Sequence, residues 1–184
     1  MIDDGGKTAA VVINLTQITA RENLCQSSIG QYIIESEVAM KRELLEKLYT
    51  KPDVATGENI FYEDELLLIP FSGVVVDFFK GILSWEFEVQ DGFKTGIEKT
   101  YYETGELEAE NETDHNTVHG LSIEYYKSGK VKSKSIVIRN LFVDTVAYNE
   151  DGTVSSTKKM AEEDPDYPLI KGIIEEFRAK YRIL

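Results

Sequence analysis

Two histidines and one cysteine are the residues of this chain best suited to metal binding or nucleophilic chemistry. His115 and His119 have the spacing that would bring two imidazoles to one side of a helix, with Asp114 or Glu112 as the nearest third zinc ligand. The surrounding sequence predicts a loop between two hairpins instead of a helix. We therefore expect no metal and no cofactor, and a metal-dependent enzyme centred on these histidines is the weakest alternative.

Cys25 is the only cysteine, so an internal disulfide cannot form. A catalytic thiol needs a basic neighbour, and only Arg21 lies close to Cys25 in sequence, so a small buried residue is the ordinary interpretation. The chain also has no Gly-x-Ser-x-Gly element, no glycine-rich phosphate loop and no cysteine–histidine cluster. We predict that this protein is not an enzyme.

A repeat of 24 residues surrounds the histidines. The block "GIEKTYYETGEL" at 96–107 returns as "GLSIEYYKSGKV" at 120–131, and looser copies lie at 73–83 and 143–154. Alternate residues of "GLSIEYY" share one face, which is strand periodicity, and the segments that end in glycine are turn chemistry. The repeat predicts an antiparallel meander of hairpins, because a single hairpin is only marginally stable in water.

These blocks resemble the MORN-repeat variant, in which a glycine, an aromatic pair and a small-residue turn ending in glycine recur every twenty-odd residues. The resemblance covers residues 73–154, and the first copy has Phe78 and Phe79 where the others have tyrosine. The variant is best known in bacterial proteins described as YwqK-like antitoxins of toxin–antitoxin systems. The resemblance implies a MORN-like β-meander, and a protein that neutralises a cognate toxin by stoichiometric binding.

Helices are expected on both sides of the meander, which makes the fold class α+β. Apolar residues recur at helical spacing from 28 to 49, and Pro52 favours an end to that helix. A short strand at 9–15 and a helix start at 19–22 are predicted before it. The last helix begins near Pro168. Its apolar stripe is Leu169, Ile170, Ile173, Ile174, Phe177 and Tyr181.

The chain divides into three regions of one compact domain. Residues 1–59 form a strand and helix region that packs on the sheet, and residues 60–154 form the repeat meander. Residues 155–184 form a linker and the C-terminal helix. Within 60–85 the continuous apolar segments predict strands that are covered on both faces.

The formal net charge of −13 restricts the class of partner. Nucleic acid and anionic membranes would repel such a chain, so neither is expected as the main partner. The N-terminus lacks a basic segment followed by an apolar one, and no apolar run is long enough to span a bilayer. We expect a cytoplasmic protein.

A row of glutamates alternates along one predicted strand, and lysines occupy the matching positions one repeat later. One interpretation is a solvated face with complementary charge stripes, in which each exposed pair contributes less than about 1 kcal/mol. The other is an acidic docking surface for a basic protein, shared with Glu103 and Asp114, where charge mainly raises the association rate. The glutamates are Glu106, Glu108, Glu110 and Glu112, and the lysines are Lys130, Lys132 and Lys134.

The tyrosine pairs allow two interpretations as well. Alternation sends one member of each pair to each face, so one is core and the other could be an exposed interface anchor. Cross-strand aromatic packing under the terminal helix is the alternative. A non-catalytic scaffold that assembles through exposed strand edges is the alternative function. The predicted partner-binding residues are Trp85, Tyr102, Glu103, Glu106, Glu108, Glu110, Glu112 and Tyr126.

Overall fold

The computed structural model describes residues 40–184, and its main element is one sheet of consecutive hairpins. The sheet has nine strands in the order β1-β4-β5-β6-β7-β8-β9-β10-β11, while β2 and β3 form a separate two-stranded sheet. All pairs are antiparallel except β1 with β4. The predicted MORN-like meander is confirmed. The strands are β1 (Arg42–Leu44), β2 (Tyr49–Pro52), β3 (Asn59–Tyr62), β4 (Gly73–Phe79), β5 (Ile82–Gln90), β6 (Phe93–Tyr101), β7 (Leu107–Asp114), β8 (Thr117–Tyr125), β9 (Val131–Ile138), β10 (Leu141–Tyr148) and β11 (Val154–Lys159).

Two short helices follow the sheet, α1 (Tyr167–Ile170) and α2 (Ile174–Tyr181). Pro168 lies in the first turn of α1, where its missing N–H removes no helical bond. Arg182 caps the C-terminus of α2, adopts the left-handed conformation and donates its N–H to the Arg178 carbonyl at 3.0 Å. The predicted C-terminal helix is therefore present as two helices with a break between them.

The hairpin turns are of two kinds, and with the exception of the two-residue turn Lys80–Gly81 each kind occupies its own end of the sheet. At one end Gly105, with φ +97°, donates its N–H to the Tyr102 carbonyl at 2.8 Å, and Gly129 and Gly152 repeat that turn. We call these the glycine turns. At the other end the turns have two residues, both with positive φ, which suits the right-handed twist of the strands. The two-residue turns at this end are Asp91–Gly92, His115–Asn116 and Arg139–Asn140, while Lys80–Gly81 lies at the end of the glycine turns.

A β-bulge recurs after the turn at the glycine end of each hairpin. In β7, Glu108 has no partner in β6, because Thr100 pairs with Ala109 and Tyr101 pairs with Leu107. Such a bulge places two successive residues opposite one, so both point to the same face and alternation is reset. The unpaired residues of the four hairpins are Ser84, Glu108, Lys132 and Ser155.

The sheet has two hydrophobic cores, at opposite ends and on opposite faces. We call the face that carries Phe87 the front face. At the first end, the front face packs under the β2–β3 hairpin, which contributes Phe61. At the last end, Ile136 and Ile138 of β9 point from the back face towards α1 and α2, which contribute Ile170 and Ile174.

The predicted helix over 28–49 is wrong for residues 40–49, which form β1, a 3₁₀ turn at Leu45–Lys47 and the start of β2. Strand β1 pairs with β4, and the Val74 N–H donates to the Lys41 carbonyl at 2.7 Å. The leucine spacing that suggested a helix instead directs Leu45 and Leu48 to the front core. Residues 28–39, the predictions at 9–15 and 19–22, and Cys25 lie outside the described residues.

The apolar segment "ELLLIPF" at 65–71 is a loop, so its prediction as a covered strand is wrong. Leu66 and Leu68 are 75% and 72% exposed, while Phe71 is fully buried in the front core. The Asp64 carboxylate accepts the N–H groups of Leu68 and Ile69 at 3.0 and 2.8 Å, which holds the loop in place of a strand ladder.

The first glycine of each clear repeat lets two strands approach closely. A Cβ atom on Gly120 would lie 2.6 Å from the Glu112 Cβ, and one on Gly96 would lie 3.0 Å from the Glu88 Cβ. Glu88 and Glu112 are themselves one repeat apart. The glycine therefore leaves room for a glutamate of the preceding strand, and this contact recurs in each clear repeat.

Gly120→Ala is expected to lower the free energy of unfolding by about 1–3 kcal/mol, because the added methyl group overpacks against Glu112. Gly172→Ala is the matched control, since its Cβ would meet nothing within 4 Å. Urea denaturation of both variants measures the difference. Equal stability of the two would contradict the proposed close approach.

Candidate protein-binding surface

The three glycine turns form a surface of alternating charge at one end of the sheet. Every charged residue of the three turns is exposed. The middle turn is basic and lies between two acidic ones, so neighbouring turns attract each other. We call this the turn surface. Its charged residues are Glu103 and Glu106, then Lys127 and Lys130, then Glu150 and Asp151.

In each acidic turn, hydrogen bonds favour the charged form of one carboxylate, Glu106 in the first turn and Asp151 in the last. The Thr104 hydroxyl and then the backbone lower the pKa of Glu106, with a smaller contribution from Lys127. Asp151 accepts the hydroxyl of Thr153 at 2.6 Å and its N–H at 2.9 Å, which lowers the pKa of Asp151. The surface keeps its charge pattern at neutral pH.

The second tyrosine of each pair joins one repeat to the next. The Tyr102 hydroxyl donates to the Tyr125 carbonyl at 2.7 Å, and the Tyr126 hydroxyl donates to the Tyr148 carbonyl at 2.8 Å. Tyr102 and Tyr126 are partly buried. Each of these predicted interface anchors therefore has a structural role within the sheet.

The predicted glutamate row is divided between the two faces. The bulge places Glu108 on the front face beside Ala109, while Glu110 and Glu112 point to the back face opposite Lys99 and Ile97. The prediction of one continuous row on one face is therefore wrong, since strict alternation ignores the bulge.

Glu112 lies against the C-terminal helix. Its carboxylate accepts a hydrogen bond from the Tyr181 hydroxyl, and the Lys180 Nζ lies 3.7 Å away. Glu103, Glu106 and Glu108 are by contrast exposed and have no ion-pair partner among residues 40–184.

Trp85 lies at the margin of the front core and has polar partners there. Its Nε1 donates to the Glu98 carboxylate at 3.0 Å, and its ring packs 4.4 Å from that of Phe87. The Lys94 ammonium lies 5.2 Å from the indole and 3.3 Å from Glu98. Lys94 and Glu98 are both buried, so their ion pair compensates two charges that would be costly to bury separately.

A shallow pocket on the front face brings together two of the predicted partner residues, Tyr102 and Glu108. Lys132 and Glu124 line its other side as an ion pair at 3.2 Å, and that hydrogen bond raises the pKa of Lys132. Glu108 and Lys132 are equivalent bulge residues of adjacent hairpins. The bulges therefore direct a charge of each sign towards one pocket.

The two histidines lie beside an open cleft next to α2. His115 starts a two-residue turn, is exposed, and contacts the Asp114 carboxylate at 2.7 Å through Nδ1. His119 packs edge-on against Phe177 at 4.8 Å, and its Nδ1 accepts the Arg139 N–H at 3.3 Å. Within residues 40–184 the structure groups no three potential metal ligands.

Two asparagines, which were not predicted as functional residues, bind two of the two-residue turns to the neighbouring hairpin through hydrogen bonds. We call these bonds the asparagine clamps. Asn116 accepts the Lys94 N–H through Oδ1 at 2.8 Å and donates its own N–H to the Lys94 carbonyl at 3.0 Å. Asn140 makes the same two bonds to Val118, at 2.7 and 3.0 Å. The asparagines lie 24 residues apart, and that spacing was the available signal.

The family model described as the MORN repeat variant matches residues 94–115 and 118–137. The two matched segments fall on the β6–β7 and β8–β9 hairpins. Neither the curated proteins nor the solved structures gave a match to this chain. In the described part of the chain, no helix is long and apolar enough to cross a membrane. The chain therefore contains MORN-variant repeats, which support a repeat scaffold.

Tyr126→Phe is expected to lower the free energy of unfolding by about 1 kcal/mol, because the Tyr148 carbonyl loses its donor. Tyr125→Phe is the matched control, because it removes a hydroxyl from the adjacent residue and leaves the bond between repeats intact. Chemical denaturation of both variants makes the comparison. A larger loss for Tyr125→Phe would contradict the assigned role.

The pH dependence of stability should report on His119. Burial lowers the pKa of His119 below 6.5, so the folded chain binds fewer protons there than the unfolded chain. Stability should therefore be lost as the pH falls from 7 towards 5, and His119→Gln should flatten this slope. His115→Gln, at an exposed site, should retain it. An unchanged slope in His119→Gln would contradict this assignment.

Proposed function

We propose that this protein is an antitoxin or immunity protein that neutralises a cognate toxin by stoichiometric binding. The proposal rests on the three exposed glutamates that the β6–β7 hairpin presents without ion-pair partners among residues 40–184. These are Glu103, Glu106 and Glu108. The MORN-variant match and the resemblance to YwqK-like antitoxins give the class of protein to which such a surface would belong.

The hairpin is a firm support for these glutamates. Tyr102 is bonded to the next repeat, Gly105 fixes the turn, and the bulge directs Glu108 towards the front pocket. A pre-organised surface loses little conformational entropy on binding. The proposed docking face is therefore formed by Glu103 and Glu106 of the turn surface together with Glu108.

A basic toxin surface is the complementary partner. Exposed charges of opposite sign raise the association rate and exclude wrong partners more than they raise affinity. The proposed inhibition is steric and electrostatic occlusion of the toxin, with no turnover. Trp85, Tyr126 and Glu112 contribute indirectly in this proposal, because each has a partner within the fold.

A scaffold that assembles several proteins is the second candidate, and the repeat match favours it. The two functions differ in the number of partners. Co-expression with the toxin encoded by an adjacent gene separates them. The antitoxin proposal expects rescue of growth and a complex of fixed stoichiometry, whereas unchanged killing would remove it.

Glu106→Lys combined with Glu108→Lys is expected to slow association with the toxin by about tenfold at low salt, because the field that attracts a basic partner is reversed locally. Stopped-flow or surface-based kinetics measure the association rate constant, and the difference should shrink as salt screens it.

The control is Glu162→Lys with Glu163→Lys, which makes the same change in net charge at exposed positions outside the hairpin. This control should retain an association rate within about twofold of the unmodified protein, because only local charge steers docking. Equal slowing by both double variants would show that net charge governs association and that the hairpin is not the docking face.

A further inference from the structure

Within residues 40–184, the outer edge of β11, the last strand of the sheet, has no partner strand. All six residues of Val154–Lys159 are exposed, and among residues 40–184 only β10 pairs with this strand. After it the chain leaves the sheet at Met160, whose N–H donates to the Val143 carbonyl at 2.7 Å. An unpaired edge of this length is a template for another strand.

The register with β10 shows which backbone groups of β11 face outwards. Met160 and Val143 are a hydrogen-bonded pair, and such pairs alternate with non-bonded pairs along an antiparallel ladder. Ser156 and Lys158 therefore bond inwards to β10. The N–H and C=O groups of Thr157 consequently point to the open edge.

We propose that β11 pairs in antiparallel fashion with β11 of a second copy of this chain, with Thr157 opposite Thr157 of the second copy. The twofold axis then passes between the two threonines. This pairing joins the sheets of the two copies into one continuous sheet, with both front faces on the same side. Facing threonines are a favourable cross-strand pair.

Three registers can be compared by the residue that faces Thr157. If Lys159 faced it, Lys158 would lie opposite Lys158 of the second copy, and like charges in that position are destabilising. If Ser155 faced it, the pairs next to the twofold axis would include Ser155, the bulged residue that has no partner in β10. The threonine register separates the two Lys158 side chains and moves the bulged Ser155 to the end of the ladder, opposite Lys159 of the second copy. It sets each Lys158 opposite Ser156 of the second copy.

Charge favours this end of the molecule as the contact between copies. The whole chain carries −13, which repels a second copy in general. Residues 153–184, however, contain six acidic and six basic side chains, and β11 itself carries only Lys158 and Lys159. A strand of six residues is about 20 Å long, so the interface is small and the dimer should form in a concentration-dependent way.

Sedimentation of the full chain in a dilution series up to about 1 mM tests the proposal, with Thr157→Pro as the key variant. Because the Thr157 N–H faces outwards, proline there removes no bond within the monomer, as is usual for prolines on edge strands. We expect the unmodified chain to dimerise and Thr157→Pro to dimerise at least tenfold more weakly.

Thr157→Val is the matched control, because it keeps the backbone N–H and should dimerise like the unmodified chain. Circular dichroism should show the same fold for all variants. A monomer at every concentration, or a Thr157→Pro variant that dimerises as strongly as the unmodified chain, overturns the proposal. The result does not depend on toxin binding, so the two proposals can fail separately.

Position 156 tests the register. Ser156→Glu should strengthen the dimer several-fold, because it places a carboxylate opposite Lys158 of the second copy twice by symmetry. Ser156→Lys should weaken it by a similar factor. If both substitutions weaken the dimer equally, Ser156 faces itself and the proposed register is wrong.

Discussion

Hydrogen bonds that join each repeat to the next keep the hairpins of this sheet in register. A single-layer sheet has no continuous core, and here the two apolar clusters lie at opposite ends and on opposite faces. The hairpins between the two clusters need another interaction to stabilise their pairing. The tyrosine hydroxyls supply it at the glycine turns, and the asparagine clamps supply it at the other end.

A row of polar side chains continues this order across the front face. Ser122 donates to Asn111 at 2.7 Å, and the hydroxyls of Ser135 and Thr145 lie 3.0 Å apart. These residues follow one another in the cross-strand register from β7 to β10. Each such bond contributes about 1 kcal/mol, so the middle of the sheet is stabilised by many small terms that all require the same register.

The meander, its turns and its last helical segment could be predicted from the sequence, because glycine spacing and alternation are local signals. The glutamate row could not, since the bulge at Glu108 changes the face of every residue after it and leaves no mark in composition. The helix predicted to run through Leu45 failed for a related reason. Leucines at helical spacing also suit a short strand and a tight turn when an edge of the sheet is available for pairing.

The same limit explains the predicted partner-binding residues. Their exposure follows from which face the bulge gives them and from which hydroxyls reach the next repeat, and both depend on neighbours about 24 residues away. Glu103 and Glu106 are at a turn tip, where no neighbour intervenes, and the sequence was sufficient to predict their exposure. Trp85 and Glu112 contact partners from other strands or from α2, and no local sequence pattern indicates those contacts.

Interstrand nuclear Overhauser effects in solution would test the register of the repeats, because they report which strands are neighbours independently of function. We expect backbone contacts that link Asn111 with Ser122 and Ser122 with Ser135 in a single register. Helical contacts within 96–131, or a direct backbone contact between Asn111 and Ser135, would contradict it.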